Sequence, residues 1–272
     1  MKVYITGATG FIGRNLKEHF LSKNVTVYTH AKGDDFQILN YIEPDYIFHC
    51  AAELRDQNKM FNSNVKLTCD LLEATKEINY KNFIYLSSSI TYGEKSKSIS
   101  EKDLLEPSTI YGATKAAGDL LCQAHAKKYN KNIKIIRLFS GYGRYEKSAR
   151  FIPTLYDRSI KDEMITISEG VHDFIYIDDI IRFIGLIAFG NFEQTIFNLG
   201  TGIMTSNFEV LKMFEKVIGK KIRYQLTDEK LREYDVRFCS CNTTLLNEIG
   251  FIPKYTLRTG LIEYINERAK CK

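Results

Sequence analysis

The sequence predicts an α/β fold, a doubly wound parallel sheet followed by a smaller C-terminal α/β region. Three observations carry that prediction. Short β-branched or aromatic runs alternate with longer amphipathic stretches through the first half. A glycine-rich turn directly follows the first run. After about residue 140 the runs shorten and the alternation changes.

The runs at 3–5, 25–28, 46–48, 83–86 and 133–138 read as strands. Helices are expected from Phe11, over 58–78 and over 108–129. In the 58–78 stretch Val65, Leu67, Leu71, Leu72 and Ala74 share one apolar face. Strand–helix alternation implies right-handed crossovers and parallel pairing. Such a sheet is covered on both faces, so its strands are almost wholly apolar. Further on, strands at 164–167, 195–198 and 221–225 are interleaved with helices over 151–160, 178–188, 207–218 and 256–266. The expected division is a first part, 1–148 with segments near 171–200 returning to it, and a second part, 149–272.

Composition agrees with an ordinary globular chain. The 272 residues are 44% hydrophobic and 26% charged, with 4 prolines and no tryptophan, which excludes collagen-like and low-complexity chains. A net charge of +5 is mild at this length. It favours small anionic ligands and gives no reason to expect nucleic acid. Residues 1–7 read as a strand, not a signal peptide. The most apolar stretch, 180–189, contains Arg182 and is far shorter than the ~20 residues of a membrane span. No membrane partner is expected. Cys50, Cys69, Cys122, Cys239, Cys241 and Cys271 follow no framework, and Cys239-Ser240-Cys241 lacks a two-residue spacer. Free thiols in a reducing cytoplasm are expected, with no metal site.

The turn Thr6-Gly7-Ala8-Thr9-Gly10-Phe11-Ile12-Gly13 has the chemistry of a phosphate cradle. Gly7 permits the tight turn, Gly10 lets backbone N–H groups approach a pyrophosphate, and Gly13 allows close helix–sheet packing. The residues just past the second strand bear on the cofactor. NAD calls for a carboxylate there to accept from the ribose 2′-hydroxyl, and NADP calls for cations. The strand ends in Thr29-His30-Ala31-Lys32, and Arg14 lies one residue past the glycine turn. His30, Lys32 and Arg14 therefore favour NADP(H), with NAD(H) as the alternative. Asp34 and Asp35 come later and can instead meet the adenine amino group.

Tyr111 and Lys115 stand four residues apart near the start of a helix, so they share one face. A lysine ammonium favours the phenolate and draws the tyrosine pKa down from about 10. The pair can move a proton at a substrate hydroxyl while a hydride moves at the neighbouring carbon. Ser87-Ser88-Ser89 closes the fourth strand, at the sheet edge where ligands of such folds bind. A serine hydroxyl there can hydrogen-bond the substrate oxygen. His49 lies on a buried strand and reads as a satisfied core histidine.

Glycine turn, serine strand and Tyr-x-x-x-Lys, in that order, resemble the extended short-chain dehydrogenase/reductase family, whose members mostly act on nucleotide-sugars. The likeness runs over nearly the whole chain and implies a Rossmann-type doubly wound parallel sheet with a smaller substrate-binding region. Phe48-His49-Cys50-Ala51-Ala52 looks like that family's strand and turn over the cofactor. Counting back five residues from Gly93 in the serine–Tyr-Gly segment picks Ser88 as the catalytic hydroxyl, beside Tyr111 and Lys115. The resemblance adds Thr9, Phe11, Ile12, Asp35 and Phe36 to the cofactor contacts, together with Ala51, Ala52 and Leu138. Arg137 to Gly143 resembles the strand leading to the substrate loop, with Ser140 where an asparagine is usual. The segment from His172 to Asp179 resembles Arg-Asp-Phe-x-x-x-x-Asp, with His172 replacing the arginine. Asn198-Leu199-Gly200-Thr201-Gly202 resembles the family's Asn-x-Gly-x-Gly turn.

Ser88, Ser89, Ser140, Arg150, His172 and Arg232 are the expected substrate contacts, with Arg158 and Arg237 as further cations for a nucleotide diphosphate. The departures from the family narrow the chemistry. Its 4,6-dehydratases carry an Asp-Glu pair after the catalytic hydroxyl, where this chain has Ser89 and Ile90. Its 3,5-epimerising members carry a Cys and a His, where this chain has Ile90 and Arg150. Two readings remain. The favoured one is NADPH-dependent reduction of a 4-keto nucleotide-sugar, which the brief connection between the second and third strands supports. The alternative is a nucleotide-sugar 4-epimerase with bound NAD. A dinucleotide-binding regulator would be expected to lose the tyrosine or the lysine, and both are present. A homodimer is expected through the 58–78 helix and the helix from Ser108, with Leu120, Leu121 and Ala124 as an apolar patch.

Overall fold

The computed structural model describes residues 1–229 and 235–270. In chain order, β1 (Lys2–Thr6), α1 (Phe11–Leu21), β2 (Thr26–His30), the short α2 (Leu39–Ile42) and β3 (Tyr46–His49) come first. They are followed by α3 (Gln57–Met60), α4 (Leu67–Thr75), β4 (Asn82–Ser88), α5 (Ile110–Tyr129) and β5 (Ile133–Leu138). Next are β6 (Ser140–Tyr142), α6 (Phe151–Lys161), β7 (Ile165–Ser168), β8 (Val171–Tyr176), α7 (Ile177–Phe189) and β9 (Ile196–Leu199). The chain continues with β10 (Met204–Ser206), α8 (Asn207–Ile218), β11 (Tyr224–Thr227), α9 (Thr244–Glu248) and α10 (Leu257–Lys270).

The chain forms two compact units. The first comprises Met1–Gly93, Asp103–Leu138 and Ile181–Asn198. Its sheet has the order β2-β1-β3-β4-β5-β9, and the pairs from β2 to β5 are parallel. The order reverses between β1 and β3, where open sheets of this kind leave room for a ligand beyond their strand ends. The central strands are apolar because both faces are covered: Val3, Ile5, Ile47, Phe48, Phe83 and Ile84 are wholly buried. The expected 58–78 helix is α3 and α4 joined by a π-helical stretch, Phe61–Lys66. The extra residue per turn rotates Asn64 inward, a local shift that a period of 3.6 does not foretell.

The second unit comprises Glu94–Lys102, Phe139–Ile180 and Leu199–Lys272. It holds a three-stranded sheet, β10-β8-β6, and a parallel pair, β11-β7. The strands β8 and β10 have no counterpart among the strands expected from the sequence, and β6 falls within the Arg137 to Gly143 segment. The pairing of β8 with β6 and β10 lies within this unit, and the first unit runs to Leu138 and takes up the chain again over Ile181–Asn198. Among the described residues Cys50, Cys69, Cys122, Cys239 and Cys241 are free thiols. No helix among them is long and apolar enough to cross a membrane.

Candidate active site

The glycine turn is built as its residues predict. Gly7 has φ +69°, and a Cβ there would lie 2.6 Å from the Ala51 backbone nitrogen. A Cβ on Gly13 would lie 2.3 Å from the Gly7 carbonyl oxygen. Both close approaches require glycine. Gly10 is different, since a Cβ there would meet only the Gly7 oxygen at 3.2 Å, leaving its other side open. Gly10 is also the N-cap of α1, without a side-chain cap and without a carboxylate in the first turn. The N–H groups of that turn therefore point to where an anion is stabilised. These features fit a dinucleotide pyrophosphate. Thr9 is exposed on the turn, Phe11 and Ile12 are half-buried at the start of α1, and Ala51 and Ala52 follow β3 half-buried.

Each of the three cations expected to mark NADP has its own surroundings. Arg14 is exposed and pairs with Glu18 at 3.2 Å. Lys32 is exposed. The His30 ring stacks on Phe36 with centroids 4.2 Å apart, and its Nδ1 lies 2.8 Å from the Tyr4 hydroxyl. Burial pushes the His30 pKa below its ordinary value, against the smaller pull of Asp34, so the ring is not a cation at neutral pH. Beside it lies a cavity of about 480 Å³, lined among others by Asp34, Asp35, Phe36, Asp70 and Glu73. Asp34 accepts from the Ala31 N–H at 2.7 Å and Asp35 from the Gln37 N–H at 2.9 Å. Asp70 and Glu73 are paired with Lys66 and Lys76, and Asp34 and Asp35 add two further carboxylates, a lining that favours hydroxyl groups over a phosphate.

Ser88 is the last residue of β4 and pairs in register with Leu138 on β5. Its Oγ accepts from the Ile90 N–H at 3.4 Å, and its carbonyl accepts from the Thr91 hydroxyl at 2.7 Å, opening the 3₁₀ turn Ser89–Tyr92. Thr109 caps α5 by accepting from the Gly112 N–H at 3.0 Å. A Cβ on Gly112 would lie 3.0 Å from the Ile90 oxygen, so the turn after Ser88 packs closely on the first turn of α5, where Tyr111 sits half-buried. One turn further, Lys115 is 2% exposed and its Nζ lies 4.1 Å from the centre of the Tyr85 ring. Among the described residues no side chain or carbonyl accepts a hydrogen bond from that Nζ. Burial lowers the Lys115 pKa to about 8. A buried ammonium with hydrogens to donate suits a ribose that presents hydroxyls.

In the second unit Ser140, Arg150 and His172 line one small cavity of about 20 Å³ with Glu146. His172 is held on both sides, its Nδ1 3.4 Å from the Ser140 hydroxyl and its Nε2 3.1 Å from Asp235. Asp235 also accepts from the Ser168 hydroxyl at 2.7 Å. Arg150 Nε lies 3.1 Å from Glu146, whose pKa burial raises to about 7. Glu146 and Asp235 were not expected from the sequence, because each is defined by tertiary neighbours and sits in no motif. Arg158 stands apart, donating to the Met164 carbonyl at 2.7 Å, and Arg237 is exposed. Arg232 lies outside the described residues.

The model of the NAD dependent epimerase/dehydratase family matches residues 3–200. An uncharacterised UDP-glucose epimerase of Bacillus subtilis is 26% identical, over 84% of this chain and 86% of its own. A dTDP-glucose 4,6-dehydratase of Mycolicibacterium smegmatis is 26% identical, over 98% of this chain and 92% of its own. The crystal structure of UDP-glucuronic acid 4-epimerase from Bacillus cereus, in complex with NAD, superposes with a TM-score of 0.86 at 26% identity, over 99% of both chains. The sheet order, the glycine turn and these likenesses together are those of a Rossmann-type α/β fold.

Proposed function

The chain belongs to the NAD dependent epimerase/dehydratase family, enzymes of the extended short-chain dehydrogenase/reductase type, and from that premise we propose that it is a nucleotide-sugar 4-epimerase using NAD. The observation that carries this reading is the carboxylate-lined cavity at the end of β2 with its uncharged His30. The same observation moves the reading away from the NADPH-dependent reductase that the loop cations suggested. The epimerase of Bacillus cereus, solved with NAD, supports it as well. The relative named as a 4,6-dehydratase does not redirect it, since Ser89 and Ile90 stand where that reaction needs an acid and a base.

Bound NAD supplies a hydride acceptor that later returns the hydride. Gly10 and the first turn of α1 would hold its pyrophosphate, Asp34 and Asp35 would serve its adenosine, and Lys115 would donate to its nicotinamide ribose. Tyr111 Oη takes the proton from the carbon-4 hydroxyl of the sugar and gives it back after the sugar turns its other face. Ser88 Oγ donates to the same oxygen and holds it beside Tyr111. Lys115 keeps Tyr111 nearer its phenolate form. Ser140, Arg150 and His172 form a polar set for the substrate. The protein acts as a homodimer, with Leu120 and Phe61 exposed on α5 and the π-helical stretch as its apolar contacts. Sedimentation as a monomer at micromolar concentration overturns that last point.

The deciding experiment is to unfold purified protein and identify the nucleotide it releases, then to offer UDP- and dTDP-sugars. Released NAD and inversion at carbon 4 without net redox change are the expected results. An empty protein that binds NADPH at least ~10-fold more tightly than NADH, a gap of about 1.4 kcal/mol, and oxidises it with a 4-keto sugar restores the reductase reading.

A further inference from the structure

The polar groups buried inside the first unit form one continuous chain. At one end is the turn that follows β3: the Ala51 N–H donates to Thr6 Oγ1 at 3.3 Å. Thr6 directly precedes Gly7, and Ala51 is the residue against which Gly7 packs. Thr6 Oγ1 lies 2.6 Å from His49 Nδ1, and His49 Nε2 lies 2.8 Å from Thr68 Oγ1. Thr68 donates to the Asn64 carbonyl at 2.8 Å. Asn64, turned inward by the π-helical stretch, donates from Nδ2 to Thr114 Oγ1 at 2.9 Å. Thr114 donates to the Tyr111 carbonyl at 2.9 Å. The chain thus runs from the glycine turn to the backbone of the tyrosine of α5.

The hydrogens in it have one consistent arrangement. Burial lowers the His49 pKa to about 3, so the ring is neutral, with one N–H and one acceptor nitrogen. Thr68 spends its own hydrogen on Asn64, so its oxygen must accept, and the N–H is on Nε2. Nδ1 is then the acceptor and Thr6 donates to it. Asn64 is satisfied too, since its Oδ1 accepts from the Glu53 N–H at 2.7 Å and its Nδ2 also donates to the Glu53 carbonyl at 2.9 Å. Every group has its partner, and Thr6, His49, Asn64 and Thr68 are at most 1% exposed. A displacement of either end leaves a buried polar group unpaired, which apolar packing alone would not penalise so steeply. A second contact runs alongside: the His49 ring is 5.6 Å from the ring of Tyr85, over which the Lys115 ammonium lies.

We propose that Thr6, His49, Thr68, Asn64 and Thr114 are positioning residues that hold the helix carrying Tyr111 and Lys115 in register with the glycine turn. The inference rests on reading those two places as the proton-transfer and dinucleotide sites. None of the five touches a reacting atom, and their effect passes through the backbone they fix.

The test uses Thr114→Val, Thr6→Val and the double variant, with Thr114→Ser as the conservative control. NAD affinity is measured by calorimetry, after denaturant melts show that each variant folds. Thr114 is on the catalytic helix, yet Thr114→Val is expected to weaken NAD about 5-fold, the size of one lost buried hydrogen bond. Thr114→Ser binds as the parent does. In the Thr6→Val background the same change has no further effect, because the chain is already broken. Unchanged NAD affinity in Thr114→Val, or effects that simply multiply in the double variant, overturns the proposal. Amide exchange in the cofactor-free protein reads the same coupling without any ligand. The Gly10 and Ala51 amides should exchange about 10-fold faster in Thr114→Val, and equal rates also overturn the proposal. A parent protein that fails to bind NAD refutes the proposed function instead, while the exchange measurement still decides on the relay.

Discussion

The two units bury charge in different ways. In the first, Arg137 and Asp119 are 2% and 0% exposed and are bound to each other, Nε to Oδ2 at 2.8 Å. Arg137 also donates to the Tyr92 hydroxyl at 2.7 Å, and Tyr92 donates to Asn198 at 2.8 Å. In the second unit Asp235 likewise meets side chains, those of His172 and Ser168, but Asp173 and Asp179 bind backbone. Asp173 accepts from the N–H groups of Thr201, Gly202 and Cys241 at 2.7 to 2.9 Å and from the Thr201 hydroxyl at 2.6 Å. Asp179 accepts from the N–H groups of Lys254 and Tyr255 at 3.0 and 2.9 Å. The contrast follows from sheet size. Five adjacent parallel strands hold the first unit by their own ladders. Sheets of three and two strands leave loops whose N–H groups need another acceptor, and aspartate side chains supply it. Motif residues should therefore affect chemistry in the first unit, and motif-like aspartates should affect stability in the second.

Tyr111→Phe tests the first half of that division most severely. It should lower kcat about 10³-fold, within the range for a lost acid–base group, with the melting temperature unchanged. A large fall in stability would break the comparison. Asp173→Ala tests the other half. Four donors lose their acceptor, so the midpoint of urea unfolding should fall by the equivalent of more than about 3 kcal/mol. Hydrogen exchange should quicken around Gly202 and Cys241 and stay slow in β1.

Glu146 sharpens the picture of the second unit through pH. The folded chain keeps its proton up to about 7, held there mainly by burial, while an unfolded glutamate loses it near 4.5. Its contribution is therefore full below about 4.5 and is lost as pH rises through 7. Glu146→Gln cannot ionise, so it should gain about 3 kcal/mol at pH 8 and nothing at pH 4. Equal effects at both pH values would refute the assignment. The smallest effect belongs to Lys115. Its pKa near 8 in the free protein predicts an alkaline fall in kcat/KM above that value, because the deprotonated amine no longer favours the Tyr111 phenolate. A profile flat to pH 10 would separate Lys115 from the tyrosine.

Legibility in the sequence divides along the same line. The glycine turn, Ser88 and the Tyr111–Lys115 pair are local patterns at the ends of strands and helices whose apolar runs announce them. The charge of His30 was not legible. Its side chain stands at a strand tip like any loop residue, and only the fold buries it against Phe36 and Tyr4, which lowers its pKa. Asp235 beside His172 was invisible because 63 residues separate them. Asn64 was readable as a helix residue but not as an inward one, since the π-helical stretch shifts the face it shows.

The outermost strand of the main sheet has a consequence for biosynthesis. β9 lies beyond β5, and Ile135 donates to the Thr195 carbonyl at 2.8 Å at that edge, yet the two strands are separated by the first long excursion into the second unit. A ribosome moving at ~5–20 residues per second needs roughly 3–12 s to deliver that intervening chain. Meanwhile the nascent sheet ends on Ile133–Leu138, with an unpaired row of backbone groups beside isoleucines. Lys134, which in the finished fold donates to the Gln194 carbonyl just before β9, is the charge that interrupts that run until its own last strand emerges.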